Sequence, residues 1–349
     1  MRIAIIGVGN IGRRYAGYLH EHGLDTVFVD SNGQCNHRRV VEVSEPGRVD
    51  AWIVSTPTDT HLGIVQEVLA QAPGAAVLIE KPACHPAQIS TLIGLATRYR
   101  DARLMVNDVY AHSATVEALA SATHGRSASD PVRRITVEFS KNRLKDMAAG
   151  RFVDQVYGDV GYEWFHMLSI LRALLPRPDF DSFLNRLPDV ATAGVHAETA
   201  LASNINIALH SSVIGDIGFP EIGLRYITAA EPQRHLRGCT IPYGSDFRYR
   251  VAAVDFQSGA TATAVFEPHY GRTTNYKNQH LVEVRAGGLT ERHDIAENHL
   301  RRALLRQIEV ITTAGPHDDA RLRLSEHRHM ARLADLLQLT DDRRPLNIA

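Results

Sequence analysis

The chain has 349 residues, a length that predicts two domains with a core each. Hydrophobic residues make up 44% of it and charged residues 22%, which is typical of a soluble globular protein. The formal net charge of -1 gives no sign of a nucleic-acid or membrane partner, and no segment is apolar for long enough to span a bilayer. Three widely spaced cysteines and the lack of a signal peptide indicate a reducing cytoplasm, with neither a disulfide framework nor a cysteine-based zinc site.

A strand, a glycine-rich turn and a helix follow one another at the start of the chain. Residues 3–6 are apolar, the run GVGNIG occupies residues 7–12, and apolar residues then recur at helical spacing. In this context Gly-x-Gly-x-x-Gly predicts a dinucleotide site, because Gly7 permits the tight turn, Gly9 lets the backbone approach a pyrophosphate, and Gly12 lets helix and strand pack closely. The helix N-terminus then holds the pyrophosphate. The alternative is a glycine-rich turn without a ligand.

Asp30 ends the second predicted strand, 18 residues after Gly12. A carboxylate at this place accepts hydrogen bonds from the adenosine ribose of NAD and repels the 2′-phosphate of NADP. We therefore predict NAD as the cofactor; the alternative is an aspartate that only initiates a turn. The stretch from residue 31 to residue 50 is short for a crossover, and we expect one small strand there, at residues 40–43.

Further apolar strands at residues 51–56, 77–79 and 104–107 alternate with helices and predict a doubly wound parallel sheet. The strand at residues 77–79 ends in Glu80-Lys81-Pro82. Ligands bind outside the carboxyl ends of such strands, and a buried lysine readily loses pKa to desolvation, so Lys81 is suited to proton transfer. The alternative is a strand that ends in solvated charges.

The glycine-rich start, the run STPTDTH at residues 55–61 and the run EKP at residues 80–82 together resemble the glucose–fructose oxidoreductase / inositol dehydrogenase (Gfo/Idh/MocA) family over the first 110 residues. Members of that family are mostly NAD(P)-dependent oxidoreductases that act on sugars, cyclitols and related alcohols or ketones. The resemblance implies that Lys81 touches the reacting oxygen or the nicotinamide ribose, and that other motif residues line the cofactor groove. The predicted cofactor-binding residues are Gly7, Gly9, Asn10, Ile11, Gly12, Asp30, Thr56, Pro57, Thr58, His61, Glu80, Lys81 and Asn107.

The second half of the chain shows the alternation of half-exposed antiparallel strands. Such strands are predicted at residues 132–140, 221–229, 247–256, 260–267 and 279–286, and helices at 161–175, 296–313 and 325–339. The polar residues 121–130 are predicted to form a flexible join. We therefore expect a Rossmann domain at residues 1–120 and an α+β domain at residues 121–349 with an open-faced, mainly antiparallel sheet. A partner subunit often covers such a face, so a dimer or tetramer is expected.

Residues 158–166 form the motif of the second half that bears most on function. The resembling family typically has Asp-x-Gly-x-His here, at the start of a helix whose Asp and His face the substrate. Asp159 and the glycine match, but Glu163 stands at the histidine position and His166 stands where a second acid is often found. The spacing places all three side chains on one helix face, and we predict that they act with Lys81 in catalysis, Glu163 and Lys81 titrating as a coupled pair. The alternative is a first helical turn with acidic residues that the helix dipole favours.

Two basic clusters, at residues 141–151 and 268–278, follow strands of the second domain. They favour recognition of an anionic substrate group such as a phosphate or carboxylate; the alternative is solvated surface charge. The 18 histidines show no paired metal-ligand spacing and the resembling family needs no metal, so no metal is predicted. The predicted substrate-binding residues are Lys81, Lys141, Arg143, Tyr162, Glu163, His166 and Tyr270.

The sequence therefore predicts an NAD-dependent oxidoreductase that interconverts an alcohol and a ketone on a sugar, amino-sugar or cyclitol, free or phosphorylated, with Lys81 as the acid/base. Two alternatives stay open. One is an imine reductase of the same fold, and the other is a non-catalytic regulator that binds NAD(H) without hydride transfer. An intact Lys81 argues against the regulator.

Overall fold

The structure is a computed structural model, and it describes residues 1–32, 35–141, 154, 156–157, 160–185, 204–211, 222–227, 233–234, 240–241, 248–267, 277–313, 315 and 319–341. The chain forms two compact units. Unit 1 consists of Met1–Val109 and Leu300–Ala331, and unit 2 consists of Tyr110–His299 and Arg332–Ala349. Unit 1 thus includes a late segment of the chain, in addition to the N-terminal residues. No helix in the described ranges is both long and apolar enough to cross a membrane.

Unit 1 is built around a parallel sheet. Its strands are β1 (Arg2–Ile6), β2 (Asp25–Val29), β3 (Ala51–Val54), β4 (Ala76–Ile79) and β5 (Arg103–Val106). They alternate with the helices α1 (Asn10–Glu21), α2 (Thr58–Gln71) and α3 (Ile89–Arg98). All neighbours pair in parallel in the order β2-β1-β3-β4-β5, which confirms the predicted doubly wound sheet. The strand order reverses between β1 and β3, and ligands bind at such a point outside the carboxyl ends of the strands.

Unit 2 is built around an antiparallel sheet. The strands of the second half are β6 (Val132–Lys141), β7 (Asn204–Ser211), β8 (Ile222–Ile227), β9 (Gln233–Arg234), β10 (Thr240–Ile241), β11 (Arg248–Phe256), β12 (Thr261–Phe266), β13 (Gln279–Ala286) and β14 (Leu289–Ala296). The helices of the second half are α4 (Ala114–Ser127), α5 (Val160–Leu174), α6 (Arg177–Asn185), α7 (His299–Thr313) and α8 (Leu324–Asp341). Of these, α7 from Leu300 onward and α8 up to Ala331 belong to unit 1. Seven strands pair in the order β14-β13-β12-β11-β6-β7-β8, and β9 pairs with β10. The predicted fold class, a Rossmann domain with an α+β domain, is confirmed.

The parallel sheet is buried on both faces, which explains its nearly continuous apolar strands. One core cluster joins Ile5 of β1 and Ile53 of β3 to Leu304 and Ile308 of α7, and each of these side chains is at most 3% exposed. Burial of one such side chain stabilises the fold by roughly 1.5–3 kcal/mol. Helix α7 therefore completes the core of unit 1, although it follows the antiparallel sheet in the chain.

The prediction of a small strand at residues 40–43 is wrong, because Val40–Glu42 is a short 3₁₀ turn. Val40 and Val43 are both buried. A spacing of three residues puts two side chains on the same side of a 3₁₀ turn. A single helical turn therefore buries the two valines whose apolar character had suggested a strand.

The prediction of a flexible linker at residues 121–130 is also wrong, because α4 continues to Ser127. Its buried side chains include Thr115, Leu119 and Thr123, which recur every four residues. Two of these three are polar, so the helical period is hidden from a pattern of apolar residues alone. Helix α4 crosses residue 120, where the sequence analysis drew the domain boundary.

Candidate active site

The glycine-rich turn between β1 and α1 is a tight strand–helix connection. Gly7 has a φ of +90°, and a Cβ atom there would lie 2.6 Å from Cγ2 of Thr56. A Cβ atom on Gly12 would lie 2.0 Å from the carbonyl oxygen of Gly7. Around Gly9, in contrast, a Cβ atom would meet no described atom within 4 Å. The turn thus requires glycine at positions 7 and 12 for its own packing, and it leaves open space at Gly9, where the backbone is expected to approach a pyrophosphate.

The N-terminus of α1 and the side chain of Asp30 meet at this turn. Among the described residues no side chain caps α1, and its first turn contains no acid. The N–H groups and the dipole of this helix end are therefore suited to an anion. Asp30 accepts hydrogen bonds from the main-chain N–H of Val8 at 2.7 Å and from that of Asn32 at 2.8 Å. Its carboxylate is thereby fixed beside the glycine-rich turn, as a ribose-binding acid needs to be.

His61 joins the loop after β3 to the loop after β4. Its Nε2 atom lies 2.8 Å from the carbonyl oxygen of Thr56, and its Nδ1 atom lies 2.9 Å from that of Pro82. Burial lowers the pKa of His61, although the two carbonyl oxygens oppose this shift. Because both ring nitrogens face the main chain, His61 has a structural task in unit 1, and its place along the cofactor groove stays a prediction.

Glu80 lies at the end of β4 in a buried hydrogen-bond network. The hydroxyl of Tyr15 and the side-chain amide of Asn107 both donate to Oε1 of Glu80, and the amide also donates to the Tyr15 hydroxyl. Burial and the charge of Glu80 raise the pKa of Tyr15. The main-chain N–H of Lys81 donates to Oε2 of Glu80 at 3.3 Å. The residue before the half-buried Lys81 is therefore fixed by α1 and by the end of β5.

Glu163 and Arg250 form an ion pair in unit 2. Nη2 of Arg250 lies 2.7 Å from each carboxylate oxygen of Glu163, and both side chains are 12% exposed. Nη1 of Arg250 donates to the hydroxyl of Tyr110 at 3.1 Å, and the guanidinium lies over the ring of Phe139, 4.9 Å from its centroid. Burial alone would lower the pKa of Arg250, but the charges of Glu163 and Tyr110, the hydrogen bonds to Glu163 and the charge of Glu267 together outweigh it, and the pKa is raised. Glu163 thus has a permanent cationic partner within its own unit.

Tyr110 is the centre of an aromatic cluster that includes His166. The rings of Tyr110 and His166 meet edge-on, with centroids 5.2 Å apart. The Tyr110 ring also contacts those of Phe266 and His299, at 5.2 and 5.3 Å. Two of the α5 residues that the sequence analysis selected therefore reach Tyr110: His166 by ring contact, and Glu163 through Arg250, which donates to the Tyr110 hydroxyl.

His280, Glu297 and His299 form a second polar cluster in unit 2, with one ligand atom of each within 4.8 Å of the others. Zn²⁺ takes such ligands in proteins. However, both carboxylate oxygens of Glu297 already accept hydrogen bonds from the N-terminus of α4. The donors lie at 2.7–2.9 Å and belong to Ser113, Ala114 and Thr115. Burial would raise the pKa of Glu297, but these bonds and His299 hold it well below its usual value. The carboxylate of Glu297 therefore serves to bind the N-terminus of α4.

Residues 1–108 match the model of an oxidoreductase family with an NAD-binding Rossmann fold, GFO_IDH_MocA. The matched range contains the glycine-rich turn, Asp30 and the Glu80-Lys81-Pro82 run. This part of the chain is therefore similar to the Gfo/Idh/MocA family. The resemblance drawn from the motifs and the prediction of NAD as the cofactor are thereby confirmed. No curated protein sequence matches the chain significantly.

Solved structures with the Gfo/Idh/MocA fold are similar to nearly the whole chain. A Gfo/Idh/MocA family oxidoreductase from Vibrio cholerae has 13% identity and a TM-score of 0.59, over 98% of this chain and 99% of that one. KijD10, a 3-ketoreductase from Actinomadura kijaniata solved with NADP, has 14% identity and a TM-score of 0.60, over 97% of each chain. GenD2 from gentamicin A biosynthesis, solved with NAD, has 15% identity and a TM-score of 0.60, over 99% of this chain and 95% of that one. Identities this low show the fold alone.

Five residues that the Gfo/Idh/MocA resemblance or the basic clusters singled out have no described side chain. Asp159, Arg143 and Tyr270 lie outside the described residues, as do the side chains of Lys141 and Tyr162. Their catalytic and substrate-binding roles stay predictions.

Sequence analysis missed two residues that bind predicted site residues, Tyr15 in unit 1 and Arg250 in unit 2. Arg250 lies on a half-exposed strand, where an isolated arginine is read as solvated charge, and no local signal identifies Glu163 as its partner. Tyr15 was read as part of the apolar face of α1. Its hydroxyl group could have indicated a polar contact, because a buried tyrosine usually needs a hydrogen-bond partner.

Arg250→Met should destabilise unit 2 by about 3–5 kcal/mol, because the carboxylate of Glu163 is left buried without its arginine. Urea denaturation measures this loss. The double variant Arg250→Met/Glu163→Met is the control, since apolar replacement of a whole buried pair is often neutral, and it should recover more than half of the lost stability. A single variant as stable as the wild type would show that the ion pair does not stabilise the fold.

Proposed function

We propose that the protein is an NAD-dependent oxidoreductase that interconverts an alcohol and a ketone on a sugar, amino-sugar or cyclitol, free or phosphorylated, with Lys81 as the acid/base. The observation that carries the proposal lies in unit 1. The glycine-rich turn and Asp30 directly follow β1 and β2, and Lys81 is the second residue after β4. All three therefore lie at the same edge of one parallel sheet. A cofactor site and a proton-transferring amine at one ligand-binding edge are what such a reaction needs.

The residues of this edge fit NAD. The uncapped N-terminus of α1 and the open space at Gly9 suit the pyrophosphate, and the fixed carboxylate of Asp30 suits the ribose hydroxyls. When bound, the nicotinamide supplies hydride transfer. The residues of the chain bind and orient the cofactor and the substrate, and they move a proton.

Lys81 is the group proposed to hold that proton. Oxidation of an alcohol releases a proton from the hydroxyl, and reduction of a ketone needs one at the carbonyl oxygen; the amine of Lys81 accepts it in the first direction and returns it in the second. The main chain of Lys81 is tied to Glu80, whose carboxylate is itself bound by Tyr15 and Asn107. Tyr15 is a poor alternative, because burial and the charge of Glu80 raise its pKa.

The substrate class is supported by two structural neighbours. KijD10 is named a 3-ketoreductase and was crystallised with TDP-benzene, and GenD2 is named for gentamicin A biosynthesis. The test is a panel of free, phosphorylated and TDP-linked sugars, amino-sugars and cyclitols, assayed by the absorbance of NADH. We expect turnover of at least one member. Turnover of imines and amines alone would instead support an imine reductase, and tight NADH binding with no turnover at all would support a regulator.

Asp30 should make NAD the preferred cofactor, by about tenfold to a thousandfold in kcat/KM, which corresponds to about 1.4–4 kcal/mol. The reason is that its carboxylate accepts from ribose hydroxyls and repels the additional phosphate of NADP. The ratio of kcat/KM for the two cofactors on the panel substrate measures this preference, and fluorescence titrations with NADH and NADPH measure the part due to binding without a substrate. In Asp30→Asn, which keeps an acceptor oxygen for Val8, the preference should fall at least about tenfold. Equal affinity of the wild type for both cofactors would remove Asp30 as the ribose ligand.

The proposal also includes a cytoplasmic location and a dimer or tetramer that forms through the open face of the seven-stranded sheet. Light scattering on a gel-filtration column measures the mass in solution. A monomer at micromolar concentration would contradict the assembly, without bearing on the chemistry at Lys81.

A further inference from the structure

The turn that carries Lys81 (residues 80–83, here the Lys81 turn) is held by several side chains of unit 1, among them His61, whose Nδ1 atom lies 2.9 Å from the carbonyl oxygen of Pro82. On one side, Glu80 is bound by α1 and the end of β5, as described above. On the other side, two side chains from the late segment of unit 1 reach the turn or its neighbour. They are Gln307 on α7 and His327 on α8, which come 200 and 244 residues after their partners.

His327 binds the main chain of the turn directly. Its Nε2 atom accepts from the N–H of Ala83 at 2.9 Å, and its Nδ1 atom donates to the carbonyl oxygen of Arg323 at 2.8 Å. These two partners assign the neutral ring with its proton on Nδ1. The side chain is 1% exposed, and burial lowers the pKa of His327. At neutral pH the ring therefore holds Ala83, two residues after Lys81.

Gln307 acts on the other end of the turn through Asn107. Its Oε1 atom accepts from the main-chain N–H of Asp108 at 2.9 Å, and its Nε2 atom donates to Oδ1 of Asn107 at 2.9 Å. This pair of bonds fixes which way the Asn107 amide points, so that its NH₂ group faces Glu80. Gln307 thereby helps to fix the residue before the lysine.

We propose that His327 and Gln307 are positioning residues for Lys81, which fix the Lys81 turn at its two ends so that the amine is presented at one place on the sheet edge. The proposal rests on the proposed function, in which Lys81 transfers a proton. An acid/base group acts only within hydrogen-bond reach, and a misplacement of about 1 Å costs on the order of 100-fold in rate. The hydrogen bonds that hold the turn should therefore bear on kcat more than on cofactor binding.

The test compares His327→Phe, which keeps a ring and removes both nitrogens, with His327→Gln, whose side-chain oxygen is able to accept from Ala83. His329→Phe is the matched control, because residue 329 is also buried but lies about 200° further around the same helix. For His327→Phe we expect the amide hydrogen of Ala83 to exchange at least about tenfold faster, and kcat on the panel substrate to fall at least about tenfold, with KM for NAD within about threefold. The acetylation rate of Lys81 by acetic anhydride should change at least about threefold.

Two further variants separate positioning from general destabilisation. His327→Gln should return amide exchange, acetylation and kcat to within about threefold of the wild type, and the His329→Phe control should change none of them by more than that. Gln307→Met, which keeps the side-chain length and removes both polar atoms, should lower kcat at least about tenfold independently of His327.

The pH dependence gives a second readout. Because the folded state lowers the pKa of His327, its hydrogen bond to Ala83 is intact above the unfolded value of about 6.5 and is lost as the pH falls through the lowered pKa. The titratable groups that act on His327 are Glu326, Asp108 and His61, and Arg323 contacts it through its main-chain carbonyl oxygen. After correction for intrinsic exchange, protection of the Ala83 amide should fall in the acid range in the wild type, and it should stay constant in His327→Gln.

Unchanged amide exchange at Ala83 in His327→Phe would overturn the proposal. So would faster exchange that leaves both the acetylation of Lys81 and kcat unchanged. Failure of the proposed function is seen separately, as full turnover by Lys81→Met, and the positioning role in catalysis then fails with it. Amide exchange and acetylation need no substrate, so they decide whether His327 holds the turn even if no panel compound reacts.

Discussion

Lys81→Met should lose about 10²- to 10⁴-fold in kcat while it folds and binds NADH like the wild type. Methionine keeps most of the side-chain volume and removes the amine, so the loss reports proton transfer alone. The carboxylate of Glu80 keeps its bonds to Tyr15 and Asn107, because neither bond involves the lysine side chain. The measurement is kcat at saturating panel substrate, together with NADH fluorescence and thermal denaturation.

Arg177→Met is the control, because the side chain of Arg177 is 88% exposed, lies outside both basic clusters, and its loss of charge should leave kcat within about twofold. A Lys81→Met variant with normal kcat would show that Lys81 is not the acid/base. A variant that fails to bind NADH would instead show that Lys81 serves the cofactor, which differs from the role proposed here.

Gly12→Ala should abolish detectable NADH binding and destabilise the protein by about 3 kcal/mol or more, the upper end of overpacking costs. The added Cβ would lie 2.0 Å from the carbonyl oxygen of Gly7, which is backbone and has no alternative rotamer. To relieve that contact, α1 has to move away from β1, and its N-terminus then leaves the position at which the pyrophosphate is expected. NADH fluorescence titration and urea denaturation measure the two effects.

Gly17→Ala tests whether this loss is specific to the turn. Gly17 lies on the same helix, is exposed, and a Cβ there meets no described atom within 4 Å. Alanine should therefore stabilise α1 by roughly 0.5–1 kcal/mol and leave NADH affinity unchanged. If Gly12→Ala binds NADH as tightly as Gly17→Ala does, the glycine-rich turn is not the dinucleotide site.

The N-terminal sheet was predictable because its signals are local. A strand that is buried in a parallel sheet has a run of apolar residues in the sequence. The glycine-rich turn directly follows β1, so strand, turn and helix all lie within about 20 consecutive residues. The positions of Asp30 and Lys81 follow from the same strands. What the motifs could not supply is the use of Glu80, His61 and Asn107, whose polar atoms are engaged by the protein itself.

The second half was less predictable because its decisive contacts are remote. Helix α4 was missed since the carboxylate that binds its first N–H groups, Glu297, comes 182 residues after Thr115. Glu163 has a partner that no motif indicates, an arginine on β11 that lies 87 residues further along the chain and binds it in unit 2. The predicted coupling of Glu163 with Lys81 stays a prediction. Neither Glu297 nor Arg250 belongs to a motif, and only the folded chain brings them to their partners.

The contribution of α7 to the core of unit 1 bears on how the protein is made. The strands of the parallel sheet are synthesised well before Leu304 and Ile308, which cover part of the sheet. The 200 residues between Asn107 and Gln307 take about 10–40 s at typical bacterial and eukaryotic rates of about 5–20 residues per second. During that interval the nascent sheet exposes an apolar surface around Ile5 and Ile53, and a fragment cut after residue 109 exposes it permanently. Such a fragment should aggregate when expressed alone, whereas co-expression with residues 300–331 should keep it in solution.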